Sequence, residues 1–240
     1  MREATLGGLK VRLTGGPDRE GGGDGPVVVL LHGFGAPGDD LVALWRVLDV
    51  PHSVRFAFPE APLSLPQLGF GARAWWPLDV EALQAAAMGG ERPSREHEDP
   101  EEMAEARGKV VGMLDALQQE LNVAPDRVVL GGFSQGAMLS LDVALSSARP
   151  LAALVLLSTT LLARERWQAG MAARASLPIF QSHGRRDPLL PFAEAEKLRG
   201  LLEGAGCQVH WMDFGGQHEI PMDVLGELAA FLRRVLGEGA

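Results

Sequence analysis

Short apolar runs rich in Val and Leu alternate along this chain with longer segments whose apolar residues recur every three or four positions. The runs predict strands at residues 9–13, 27–31, 54–58, 128–130, 154–157, 179–182 and 208–214. The periodic segments predict helices at 39–48, 100–121, 135–146, 192–203 and 221–236. A run such as Val27-Val28-Val29-Leu30-Leu31 is apolar throughout rather than alternating, as a strand covered on both faces must be. Strand–helix alternation of this kind predicts an α/β fold, with a mostly parallel central sheet and helices on both faces. The glycine-rich stretch 15–25 predicts a turn through which the first strand pairs antiparallel.

One segment breaks the rhythm. Residues 60–100 contain a single periodic stretch, 79–88, and no clear strand. An irregular insertion of that length in an α/β domain predicts a lid or pocket-lining loop. The expectation is therefore one domain over 1–240 carrying this insertion. An exposed apolar lid would serve either substrate access or subunit contact in a homodimer.

Composition narrows the function. With 46% hydrophobic and 22% charged residues the chain can bury a large core. The net charge of −9 and the lack of a basic run argue against nucleic acid and against a polybasic membrane patch. The longest apolar run, 151–157, is too short for stable membrane insertion, and the first residues lack a signal peptide's apolar stretch. Cys207 is the sole cysteine, which excludes an intrachain disulfide and suits a reducing, cytoplasmic setting. No His, Cys or carboxylate cluster has metal-ligand spacing: His218-Glu219-Ile220-Pro221-Met222 ends in methionine where a His-Glu-x-x-His would need its second histidine. Neither a metal nor a cofactor is expected.

In an open parallel sheet, ligands sit beyond the carboxyl ends of the strands. The run 27–31 is followed by His32-Gly33-Phe34-Gly35, and 128–130 leads into Gly132-Phe133-Ser134-Gln135-Gly136. After 179–182 comes His183-Gly184-Arg185-Arg186-Asp187, and after 208–214 comes Gly215-Gly216-Gln217-His218. A Gly-x-Ser-x-Gly is a weak signal in a chain with 30 glycines. Asp187 by itself also reads as a turn residue before Pro188, and His218 as a helix-start residue before Pro221. Taken together, a serine, an acid and a histidine occupy three loops at one sheet edge. They follow in the Ser…Asp…His order of an α/β-hydrolase triad. Of the remaining histidines, His210 lies inside a strand, His32 and His183 precede glycines at strand ends, and His52 and His97 sit in polar loops.

Gly33-Phe34-Gly35-Ala36-Pro37-Gly38, with Glu60 after the next strand, also fits a dinucleotide-binding fingerprint. That rival reading, an oxidoreductase, leaves Ser134, Asp187 and His218 without a shared purpose. A catalytically silent binding protein of hydrolase fold is a third reading; its usual mark is a missing triad residue, and none is missing here.

The segments Leu31-His32-Gly33-Phe34-Gly35, Phe58-Pro59-Glu60-Ala61-Pro62, Arg73-Ala74-Trp75-Trp76, Gly132-Phe133-Ser134-Gln135-Gly136-Ala137, His183-Gly184-Arg185-Arg186-Asp187-Pro188 and His218-Glu219-Ile220-Pro221 resemble the phospholipase/carboxylesterase family of α/β-hydrolases. That family includes carboxylesterases and acyl-protein thioesterase-like proteins. The resemblance implies an α/β-hydrolase fold and hydrolysis of a small-molecule carboxylic ester of short or medium acyl chain, with thioester or lysophospholipid cleavage as alternatives. It also implies Ser134, Asp187 and His218 as the triad, with the backbone N–H groups of Phe34 and Gln135 as the oxyanion hole. Phe70, Trp75 and Trp76, together with Phe34, are candidates for an apolar substrate pocket; a loop anchor is the other reading of 73–76. Gln217 stands where the family commonly has glycine or histidine, and Ser158-Thr159 where it commonly has Ser-Gly.

Overall fold

The computed structural model describes residues 1–79 and 94–237. Its main sheet has eight strands: β1 (Arg2–Leu6), β2 (Leu9–Gly15), β3 (Val27–Leu31), β4 (Arg55–Pro59), β7 (Val128–Phe133), β8 (Ala153–Leu157), β9 (Pro178–Gly184) and β10 (Gln208–Phe214). They lie in the order β1-β2-β4-β3-β7-β8-β9-β10. From β4 to β10 every pairing is parallel, whereas β1–β2 and β2–β4 are antiparallel. Among the described residues the α-helices are α1 (Leu44–Val47), α2 (Glu101–Leu121), α3 (Gln135–Ser146), α4 (Arg164–Met171), α5 (Phe192–Gly204) and α6 (Met222–Leu236).

The apolar runs bury both faces of the sheet because successive side chains point to opposite sides. Val27, Val29 and Leu31 of β3 join one core cluster with Leu130, Leu154, Leu156 and helices α2 to α5. Val28 and Leu30 join the other with Val129, Val155, Leu157 and α6. Helix α2 supplies Met103, Ala106, Val110, Met113, Leu114, Leu117 and Leu121 at helical spacing, and all are buried. Glu101 and Glu102 sit in its first turn, where carboxylates suit the positive end of the helix dipole.

Several expectations are corrected. The first predicted strand does not fold back through the glycine-rich turn onto the next one. It pairs with β1 on one side, a strand the periodicity did not reveal, and with β4 on the other. Buried Arg55 explains where the glycine-rich loop goes: its guanidinium donates to the carbonyls of Gly23, Gly25 and Leu121, tying that loop to the end of α2. The helix predicted at 39–48 shrinks to α1 preceded by turns, and α4 was not anticipated. The insertion is not strandless, since β5 (Leu63–Ser64) and β6 (Arg73–Ala74) form a small antiparallel pair. The helix predicted at 79–88 falls, apart from Asp79, outside the described residues.

The far end of the insertion is fixed by charge. Glu96 binds Arg164 at 2.7 Å and Asp99 binds Arg166 at 2.6 Å. Arg166 also reaches Asp142, a fully buried carboxylate in the middle of α3. Asp142 further accepts from Arg107 of α2 at 2.6 Å and from the Trp167 indole at 2.8 Å. A buried carboxylate is tolerable only when it is paired in this way.

Strand register brings the functional loops together. Leu31 lies opposite Gly132, Phe133 opposite Leu157, Leu157 opposite Ser182, and Gly184 opposite Phe214. Helix α1 packs on one face of the sheet and α3 on the other, so the chain leaves β3 and β7 toward opposite faces, as at a switch point of the topology. The turn from β7 into α3 is tight. A Cβ on Gly136 would stand 2.1 Å from the Leu31 carbonyl oxygen, and one on Gly132 would stand 2.4 Å from the same atom. Both obstacles are backbone and cannot swing away. Gly136→Ala is expected to destabilise the protein by about 2–3 kcal/mol, measured as a lower urea midpoint at unchanged slope; a midpoint equal to wild type would mean that the turn can move off β3.

Candidate active site

Ser134 occupies the turn between β7 and α3 with φ 54° and ψ −118°, a conformation L-residues rarely adopt. The strain is sustained by the turn's bonds: Ser134 N–H donates to Leu157 O at 2.9 Å, and its carbonyl accepts from Ala137 and Met138. The serine is half-buried at the carboxyl edge of the sheet, just before the N-terminus of α3.

Asp187 and His218 come to the same edge on the loops after β9 and β10. These two loops are sewn together, with Arg185 N–H donating to Phe214 O and Arg186 N–H to Gly216 O. His218 Nδ1–H donates to Asp187 Oδ2 at 2.7 Å, which leaves Nε2 to accept a proton. The other oxygen of Asp187, Oδ1, accepts from the N–H groups of Leu189 and Leu190 at 2.8 and 2.9 Å. Burial opposes ionisation of Asp187. The bond to His218, its charge and the two backbone donors together outweigh burial and hold the carboxyl below its ordinary value. The His218 ring lies 4.7 Å from the ring of Phe133, the residue before Ser134.

Two backbone N–H groups flank the serine. Gly33 lies against it, since a Cβ there would stand 3.5 Å from Ser134 Cβ, and Phe34 follows directly. Gln135 is the first residue of α3. Neither the Phe34 nor the Gln135 N–H has an acceptor among the described residues. Free donors beside a helix N-terminus favour developing negative charge.

The pocket candidates stand differently. Phe70 is fully exposed to solvent at positive φ. Trp75 and Trp76 are buried, 2% and 0% exposed, and serve as the loop anchor rather than an open wall. Trp75 N–H donates to the Gln135 side-chain oxygen at 2.9 Å, and the Gln135 amide donates to Trp76 O at 2.8 Å. This use of the Gln135 side chain was not read from the sequence.

His32 and His183 hold backbone in place. His32 Nδ1–H donates to Gly33 O while its Nε2 accepts from Ala61 N–H. His183 Nε2–H donates to Leu190 O and lies 3.4 Å from Asp187. Burial pushes both imidazoles below their ordinary value, so they are neutral in the fold. The dinucleotide reading loses its supports. The helix after the glycine loop does not begin until Leu44 and has four residues, and Glu60 is engaged by Arg12 and Arg73 at 3.2 and 3.3 Å. Among the described residues no group of His, Cys, Asp and Glu is arranged to hold a metal ion, and no helix is long and apolar enough to cross a membrane.

The two buried histidines take up a proton more readily in the unfolded chain, near pH 6.5. Stability is therefore expected to fall as pH drops below about 6.5 and to go on falling until the native values are passed. Asp187 adds a second loss at lower pH: its contribution is complete above about 3.9 and disappears as pH falls through its native value. Thermal melting from pH 8 to pH 3 measures both phases, and a melting temperature that stays flat from pH 7 to 5 would show the imidazoles charged in the fold.

Comparison with known proteins bears on family and fold. The family model described as Phospholipase/Carboxylesterase matches residues 22–236. The chain is 31% identical over 219 residues to "Acyl-protein thioesterase 1" of Gibberella zeae, covering 87% of this chain and 90% of that protein. Its fold matches the crystal structure of esterase PE8 with TM-score 0.74 and 29% identity, over 94% of this chain and 100% of that one. The Bacillus cereus carboxylesterase matches in fold with TM-score 0.70 at 20% identity, over 95% and 94% of the two chains. With its parallel sheet, its strained serine turn and a match that runs from residue 22 to 236, the chain belongs to the phospholipase/carboxylesterase family of α/β-hydrolases.

Proposed function

We propose that this protein is a serine esterase that cleaves carboxylic esters of short or medium acyl chain through an acyl-enzyme, with Ser134 as nucleophile, His218 as general base and Asp187 as its partner. The observation that carries this reading is the 2.7 Å bond from His218 Nδ1–H to Asp187, made at the sheet edge where Ser134 and two unengaged N–H groups lie. A free serine hydroxyl is a poor nucleophile at neutral pH. With Nδ1–H committed to Asp187, Nε2 takes the hydroxyl proton as Oγ attacks the ester carbonyl carbon. The carbonyl oxygen becomes an oxyanion between the N–H groups of Phe34 and Gln135. His218 then returns the proton to the leaving alcohol as the C–O bond breaks. Water repeats the sequence on the acyl-enzyme and frees the acid and Ser134. Asp187, held ionised, keeps the imidazole in the useful tautomer and stabilises the imidazolium.

A second reading keeps the same residues and changes the leaving group. The relatives named acyl-protein thioesterase favour a thioester, from which a thiol leaves in place of the alcohol. Lysophospholipid cleavage would use the same chemistry.

The test is hydrolysis of p-nitrophenyl esters from two to about sixteen acyl carbons beside matched thioesters. Ser134→Ala is expected to abolish turnover, and the ratio of ester to thioester kcat/KM chooses between the readings. Undiminished hydrolysis by Ser134→Ala would sink both. Asp187→Asn is expected to lower kcat by about 10³–10⁴ with KM little changed; an effect below tenfold would remove Asp187 from the triad.

A further inference from the structure

The two N–H groups assigned to the oxyanion come from separate parts of the chain, 101 positions apart, with no peptide link to hold their spacing. The Phe34 N–H belongs to the loop after β3 and the Gln135 N–H to the first turn of α3. What spans them is the segment 73–76. Its backbone runs beside the first loop, with Gly35 N–H donating to Arg73 O at 2.8 Å and Arg73 N–H to Ala36 O at 3.0 Å. The Trp75 indole N–H donates to His32 O at 2.9 Å, and the two rings lie 5.4 Å apart. On its other side Trp75 gives its backbone N–H to the Gln135 side chain, which in turn donates to Trp76 O. Arg73 and His32 close the frame from behind, Arg73 through Ala61 O and Pro62 O, and His32 through Gly33 O and Ala61 N–H.

We propose that the Trp75 indole and the Gln135 side-chain amide are positioning residues that set the distance between the two oxyanion donors. The proposal rests on the serine esterase reading above and deepens it. The Trp75 indole bond and both Gln135 amide bonds are buried, and each joins a side chain to main chain. The frame therefore cannot relax without leaving a buried donor or acceptor unpaired. Loss of one link leaves the apolar anchoring of Trp75 and Trp76 in place but frees the donors to drift. A drift of about 1 Å at such a site costs on the order of a hundredfold in rate. The substrate ground state makes little use of these donors, so the loss falls on kcat rather than on KM.

Two variants separate the links. Trp75→Phe removes the indole N–H and keeps an aromatic ring; Gln135→Met keeps length and volume and removes both amide bonds. Each is expected to lower kcat on a short-chain p-nitrophenyl ester by about ten- to a hundredfold, with KM within about threefold of wild type. Affinity is then measured for an alkyl trifluoromethyl ketone, to whose carbonyl Ser134 Oγ adds while its proton passes to His218, and for the methyl ketone of the same length, which stays unreacted. A positioning role weakens the first ketone by the same factor as kcat/KM and leaves the second unchanged. General loosening of the fold weakens both alike and would overturn the proposal, as would folded variants with wild-type kcat.

Should one variant fail to fold, the other carries the test. The wild type supplies a further reading: the Trp75 indole proton is expected to resist solvent exchange and to shift when the trifluoromethyl adduct forms. Exchange at the rate of an exposed indole would refute the brace. Ser134→Ala runs in the same assay. Activity surviving there brings down the esterase reading itself, whereas a dead Ser134→Ala beside fully active brace variants brings down the brace alone.

Discussion

The carboxyl edge of the sheet depends on how closely the first turn of α3 lies against the end of β3. Two glycines, Gly132 and Gly136, face the Leu31 carbonyl across a gap that leaves no room for a Cβ. That contact brings the loop after β3 within reach of Ser134, whose backbone sits at positive φ. A wider gap would relax the turn, but the Gly33–Phe34 backbone would then stand away from Ser134. Strain at one residue is thus the geometric consequence of bringing two backbones together at a third.

Around this contact the loops are ordered by hydrogen bonds from buried side chains rather than by regular structure. His32, His183, Arg73 and Gln135 each engage loop main chain. Buried carbonyls and N–H groups outside helices and strands need such partners. Neutral imidazoles suit the role because one ring nitrogen donates while the other accepts. Of His32, His183 and His218, the last makes the shortest contact with a carboxylate and is the one that is not buried.

The fold was legible in the sequence wherever a strand is buried on both faces. Runs such as 27–31 and 154–157 carry enough apolar residues to mark themselves, and the loops that follow them could be compared without coordinates. The Ser134, Asp187 and His218 loops were found that way. Edge and hairpin strands were not legible. Arg2–Leu6 mixes charged and apolar residues because one face meets solvent, and Leu63–Ser64 with Arg73–Ala74 is too short to show a period. Helix α4 was missed because Trp167 and Met171 are its only buried residues, and one apolar pair makes no pattern. The role of Trp75 was left open between pocket and anchor for a different reason. An aromatic pair beside an arginine looks alike in sequence whether it faces a ligand or a core, and only the partner of the indole N–H separates the two.

The buried carboxylate of Asp142 gives α3 a property that its apolar contacts do not. Ion pairs at a site shielded from water feel dissolved salt weakly. The cost of stripping hydration from charged groups also shrinks as temperature rises, while the gain per unit of buried apolar surface levels off. The grip of Arg107 and Arg166 on the middle of α3 therefore strengthens, relative to the packing around it, as the molecule warms. The helix that follows Ser134 is fastened at its centre by ion pairs that lose less on warming than the packing around them.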